Sequence, residues 1–286
     1  MSNTAVVADS IACLTKEQVQ KYGIKIVPIN IFFGGKIYRD WIDLSPAEGY
    51  ALLDKDPRVW KSSAPSPEDF LQVYQELSTH AQTILVVTLS SKLSMCCSSA
   101  QTAKEIAKEQ LPQITVEVLD SETVTAAEGF IALAAARVAA EGKAFTEVIT
   151  TAQKVKERVK FIILLETTRH VYRTGRIPKI ASQIGSVLPV KPILTVSDGL
   201  VRFATASRTK SNGVEKMLRM MKEQVGTSGP IHVAVMHADV LKEAQELKER
   251  IGKEFNCAEL FITDFSPVMG YATGRGTLGF AFYKSL

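Results

Sequence analysis

Short apolar runs alternating with helix-spaced segments set the rhythm of the first half of the chain. TAVVAD (4–9) is a compact aliphatic run and predicts a buried strand. TKEQVQKYG (15–23) reads as a helix stopped by glycine. IKIVPINIFF (24–33) predicts another strand, with Pro28 marking an edge or a bulge. SPAE (45–48) and SPED (66–69) each set a serine, a proline and an acidic residue where a capping box opens a helix. TILVVTL (83–89) and ITVEVLD (114–120) are buried-type strands with a helix between them, and two helices follow at about 122–141 and 145–158. Strands that alternate with helices in this way predict parallel βαβ units.

The second half has a different pattern. KFIILLE (160–166) is strand-like, and VKPILTVSDGLVRFATAS (190–207) predicts a hairpin turning at Asp198-Gly199. A helix at about 210–225, the strand IHVAVMHA (231–238), a helix at 239–253 and the strand CAELFITDF (257–265) come next. PVMGYATGRGTLGFAFY (267–283) reads as a glycine-rich loop and then a strand. The expected fold class is therefore α/β in two domains: residues 1–160 with parallel βαβ units, and residues 161–286 with a mixed sheet.

Composition narrows the function. The 286 residues are 46% hydrophobic and 22% charged, enough for a sizeable core and too apolar for a disordered chain. Thirty-four basic against 30 acidic residues leave a net charge of +4, too balanced to imply nucleic-acid binding. The four cysteines, Cys13, Cys96, Cys97 and Cys257, show no CxxC spacing, so no zinc or redox motif is expected. MSNTAVVADS has neither a charged n-region nor a long apolar run, and no stretch reaches the ~20 apolar residues of a membrane helix. A reduced, cytoplasmic protein is expected.

The segment VVTLSSKLSMCCSSAQTAKEIAKEQ (86–110) carries the first candidate chemistry. Ser90, Ser91 and Ser94 stand where a strand passes into a helix. They could cradle a carboxylate or phosphate, or simply cap the helix. Cys96 or Cys97 could serve a cysteine-dependent enzyme acting on an acyl or anionic substrate. A cysteine nucleophile needs a depressed pKa and usually a histidine base. His80, His170, His232 and His237 form no paired motif, whereas Cys96, Ala100, Ala103 and Ala107 recur at helical spacing as a small-residue packing stripe. Asp9 ends the first strand, where a cap by Asp9 or Ser10 is the favoured reading. Gly274, Gly276 and Gly279 spell GxGxxG too close to the C-terminus for a dinucleotide fingerprint. Arg169, Arg173, Arg176 and Lys179 form either a solvated helix face or a docking surface for an acidic partner or lipid headgroups.

Taken in order, six motifs resemble those of the DegV family of fatty-acid-binding proteins. They are ADS (8–10), SSAPSPEDF (62–70), LSSKLSMCCSSA (89–100), VLDSETVTAAEGF (118–130), RTGRIPK (173–179) with VKPIL and Asp198-Gly199, and GYATGRGTLGFAFY (270–283). The resemblance implies a DegV-like fold holding one long-chain, palmitate-like fatty acid in an apolar tunnel between two domains, without metal or other cofactor. It places Ser62 at the family's carboxylate-binding threonine and Ser94 at its serine. It also implies a non-enzymatic carrier that presents the lipid to a separate fatty acid kinase, with at most transient contact with a membrane surface. Arg173 and Arg176 are the docking candidates for that partner. Two departures fall in the headgroup loop: Ala272 stands at the family's histidine, before Thr273, and Arg275 at its proline. Met95, Cys96 and Cys97 replace a Gly-Thr-Tyr stretch. Arg275 then either supplies the missing donor or faces solvent.

Overall fold

Strand β1 (Thr4–Asp9) runs into a single 3-10 turn (Ser10–Ala12) and helix α1 (Lys16–Tyr22). The computed structural model describes residues 3–56, 58–176, 190–226 and 229–286. Pro28 does more than mark an edge. The expected strand 24–33 divides there into β2 (Lys25–Val27) and β3 (Asn30–Phe33), which belong to different sheets. Proline has no N–H to continue a ladder, so the chain can leave one sheet at this point.

Strand β4 (Lys36–Arg39) follows, then α2 (Pro46–Lys55), β5 (Lys61–Ser63) and α3 (Pro67–Leu77). Both helices open on the expected capping boxes, Ser45 with Glu48 and Ser66 with Asp69. Next come β6 (Thr83–Thr88), α4 (Cys96–Gln110), β7 (Thr115–Asp120), α5 (Ala126–Ala140) and α6 (Phe145–Arg158). The remaining elements are β8 (Lys160–Leu164), α7 (Arg169–Arg173), β9 (Lys191–Ser197), β10 (Leu200–Ser207), α8 (Lys210–Val225), β11 (Ile231–His237), α9 (Leu241–Glu254), β12 (Cys257–Asp264), α10 (Pro267–Thr273) and β13 (Leu278–Lys284). The expected glycine-rich loop at 267 thus begins as a helix, with Ser266 capping it and Pro267 in its first turn.

Three sheets result. The first is parallel, in the order β2-β1-β6-β7. The second is mixed, in the order β10-β9-β8-β13-β11-β12, with only β11 and β12 parallel. The third is a small antiparallel sheet, β4-β3-β5. Helix α5 is buried continuously from Ala126 to Ala136 and touches β1 and β6 of the parallel sheet and β13 of the mixed one. A helix apolar on every side has to lie inside, and this one is the central layer. The largest hydrophobic cluster accordingly draws on both halves, from Val6 to Tyr283.

Candidate functional site

A cavity with about 860 Å³ of empty space, part of it open to solvent, lies where the three sheets approach one another. Its walls are mainly aliphatic and aromatic: Ile11, Leu89, Phe161, Leu194 and Val268 come from five separate elements or loops. Polar side chains are few: Ser62 and Ser63 of β5, Ser94, Thr174, Arg176 and Thr273. Apolar walls with a few placed polar groups are what an amphipathic small molecule requires.

The three candidate serines have three different jobs. Ser90 Oγ is buried and donates to the Gly199 carbonyl at 2.7 Å, while Lys92 Nζ donates to the Asp198 carbonyl at 2.7 Å. Together they pin the β9–β10 turn, where Asp198 and Gly199 both take left-handed φ (52° and 72°). A Cβ on Gly199 would lie 2.7 Å from Ser90 Oγ, so the contact requires glycine. The Ser91 backbone N–H donates to Asp120 at 3.2 Å, and the residue is exposed. Ser94 alone reaches the cavity. Its hydroxyl accepts from the Cys96 N–H at 3.3 Å and faces Cys96 Sγ at the same distance. Helix α4 begins two residues later, so the partial positive charge of its N-terminus lies beside Ser94.

Ala272 and Thr273 also line the cavity, but the Thr273 hydroxyl is committed to the Met269 carbonyl at 2.8 Å. Arg275 is engaged elsewhere. Its guanidinium pairs with Asp54 at 3.0 Å and Asp239 at 2.8 Å and lies 5.3 Å from the centre of the Tyr50 ring. Arg176 is exposed yet lines the cavity, which puts a cation at its mouth. Arg169 and Arg173 are exposed on α7, and Lys179 lies outside the described residues. On the same helix His170 packs against Gly274. Burial first, then the charges of Arg173 and Arg169, push its pKa down.

The two cysteines at the start of α4 are not set up as thiolates. Burial pushes the Cys96 thiol far up and raises Cys97 as well, so both are held away from the thiolate form. All four cysteines are free. Asp9 does cap the 3-10 turn, accepting from Ile11 N–H at 2.9 Å and Leu89 N–H at 2.8 Å. Burial, only partly offset by these bonds and by Glu128, pushes Asp9 up to about 7. Asp40 is likewise driven up to about 7 by burial, although the hydroxyls of Ser10 and Ser266 and the Val268 N–H oppose the rise. Among the described residues, no cluster of His, Cys, Asp or Glu could hold a metal ion, and no helix is long and apolar enough to cross a membrane.

Sequence reasoning missed Ser63, Thr174 and the cavity role of Arg176. Their signal was weak: β5 is three residues long with no readable alternation, and Thr174 and Arg176 lie past the end of the short helix α7. The fold and the cavity together define an α/β protein with a largely apolar internal space that carries a few polar side chains. A family model described as "Uncharacterised protein, DegV family" matches residues 3–285, and the chain belongs to the DegV family. A DegV domain-containing protein of Clostridium acetobutylicum is 30% identical over 278 residues, covering 97% of this chain and 96% of that one. Among solved structures, DegV of Bacillus subtilis, described as a fatty acid binding protein, is 28% identical with a TM-score of 0.90, both chains being fully covered. A DegV family protein of Thermus thermophilus, described for its fatty acid binding, is 26% identical with a TM-score of 0.89, covering 99% and 100% of the two chains.

Proposed function

We propose that this chain is a cytoplasmic carrier that binds one long-chain fatty acid in the cavity. The observation that supports this most is the cavity's lining: aliphatic and aromatic walls with a few polar groups, Ser62, Ser63, Ser94 and Arg176 among them. Burying about 14 methylenes at ~0.8 kcal/mol each gains on the order of 10 kcal/mol gross, before binding costs of several kcal/mol. The tail therefore supplies affinity and the polar end sets direction. Hydroxyls of Ser62 and Ser94 would donate to the carboxylate, and the Arg176 guanidinium would supply the charge partner that Ala272 does not. The likeness to the fatty-acid-binding proteins of B. subtilis and T. thermophilus supports the same ligand class.

Mass spectrometry of an organic extract of the gently purified, then denatured, protein tests this. Near-stoichiometric long-chain fatty acid is the expected result. An empty extract, with no uptake of added fatty acid, would overturn it. Ser94→Ala and Ser62→Ala should each weaken binding of the acid by about tenfold, the loss of one charge-assisted hydrogen bond, and leave the alcohol of equal length almost unaffected.

The carrier would hand its ligand to a kinase acting on the carboxyl group. Exposed Arg173 and Arg176, on and just after α7 and beside cavity-lining Val171 and Thr174, are the surface we assign to an acidic partner. Reversing both charges should abolish association with such a kinase. Normal association would remove the docking role. The cysteine-enzyme alternative predicts fast alkylation of Cys96 or Cys97 at neutral pH, and the burial of Cys96 with the raised pKa of both thiols favours slow alkylation.

A further inference from the structure

Helix α10 is a wall of the cavity, with Val268, Met269 and Ala272 on the lined side. Its other side is pressed against α2 almost backbone to backbone. A Cβ on Gly270 would lie 2.2 Å from the Tyr50 ring, and one on Gly49 would lie 2.6 Å from Pro267 Cβ. Helix α2 is thus the backing of that wall.

Two polar ties hold this arrangement. At the start of α10, buried Asp40 accepts the Val268 N–H at 3.2 Å. Just past its end, Arg275 bridges Asp54 near the end of α2 and Asp239 in the loop after β11. The guanidinium also covers Tyr50, whose hydroxyl is buried with no hydrogen-bond partner among the described residues. The Tyr50 ring is therefore held by packing and by Arg275. The side chains of Arg275, Asp54 and Asp239 are 43%, 60% and 47% exposed. Ion pairs so open to water are weak and sensitive to salt. That suits a tie that opens and recloses better than a permanent staple.

We infer that Arg275 is a positioning residue: by clamping α2 onto α10 through Asp54, it sets how fast a bound fatty acid leaves the cavity, without touching the carboxylate. The inference rests on the fatty-acid reading above and assigns Arg275 to the wall rather than the headgroup.

The test uses the full chain loaded with a fluorescent long-chain polyene fatty acid, with dissociation followed by stopped flow into excess albumin. Arg275→Gln and Asp54→Asn should each speed dissociation about fivefold, the scale of one exposed ion pair. The double variant should be no faster than Arg275→Gln alone, because that change already removes the Asp54 contact. Arg275→Lys should recover part of the slow rate. Raising the salt concentration should speed dissociation from the native chain and leave Arg275→Gln almost unchanged. The preference for the acid over the alcohol of equal length should stay as it is. Normal uptake with an unaltered off-rate in Arg275→Gln would overturn the clamp alone. Loss of the preference for the acid in Arg275→Gln would also overturn it, by placing Arg275 at the headgroup. Failure of the native chain to take up the probe would overturn the fatty-acid reading and the clamp with it.

Discussion

Glu128 lies in the first turn of α5, fully buried, and neither of its carboxyl oxygens has a hydrogen-bond partner among the described residues. Burial first, and then the neighbouring Asp9, push its pKa well above the ordinary value. Burial and the nearby Asp9, which already accepts two backbone N–H groups, both favour the protonated form of Glu128. Glu128→Gln keeps a donor of the same shape and should leave the urea midpoint almost unchanged. Glu128→Ala removes the donor and leaves a void, and should cost about 2–4 kcal/mol in the same titration. Asp9 was legible in the sequence as a cap, since a carboxylate closing a strand before a turn has a local signature. Its partner was not: Glu128 sits in an alanine-rich run where one acidic residue looks like an ordinary helix surface position. Ser94 was legible from the strand-to-helix passage, whereas Ser62 was legible only through the family motif.

At the scale of elements, the strands and capped helices of the parallel sheet were readable because each carries its own period and punctuation. Two features were not. Residues 24–33 form one apolar run in sequence, and no local pattern shows that Pro28 sends its halves into separate sheets. Helix α10 is too short for a period and was hidden by Gly270 and the glycines that follow the helix, although Gly270 is there for contact and not for turning. That contact makes a prediction. Gly270→Ala should destabilise the chain by about 1–3 kcal/mol, seen as a lower urea midpoint, because the Tyr50 ring has no room to retreat. The same variant should weaken fatty-acid binding, since α10 can yield only toward the cavity.

Across the whole molecule, buried carboxyls link stability to pH. Asp9 and Asp40 have folded-state pKa values of about 7, above the value of 3.8 for a free side chain. Such groups bind protons more tightly when folded, so their contribution is fully present below about pH 4 and is lost as pH rises to about 7. Glu259 acts oppositely. Burial alone would raise it, but hydrogen bonds from His232 and Arg137 outweigh burial and bring it down to about 2, so its contribution is lost only below about pH 4.5. Thermal midpoints should therefore be higher near pH 5 than at pH 7.5, and Asp40→Asn should shrink that difference. The cavity itself has a consequence of another kind. Ile11, Leu89, Phe161, Leu194 and Val268 line it and also belong to the largest hydrophobic cluster, so the hole and the core are one body. A lipid seated there completes the interior of the protein, and an empty copy is an unfinished fold that opens more often and meets proteases sooner. The number of copies surviving in a cell would then follow the supply of lipid, with no dedicated regulator.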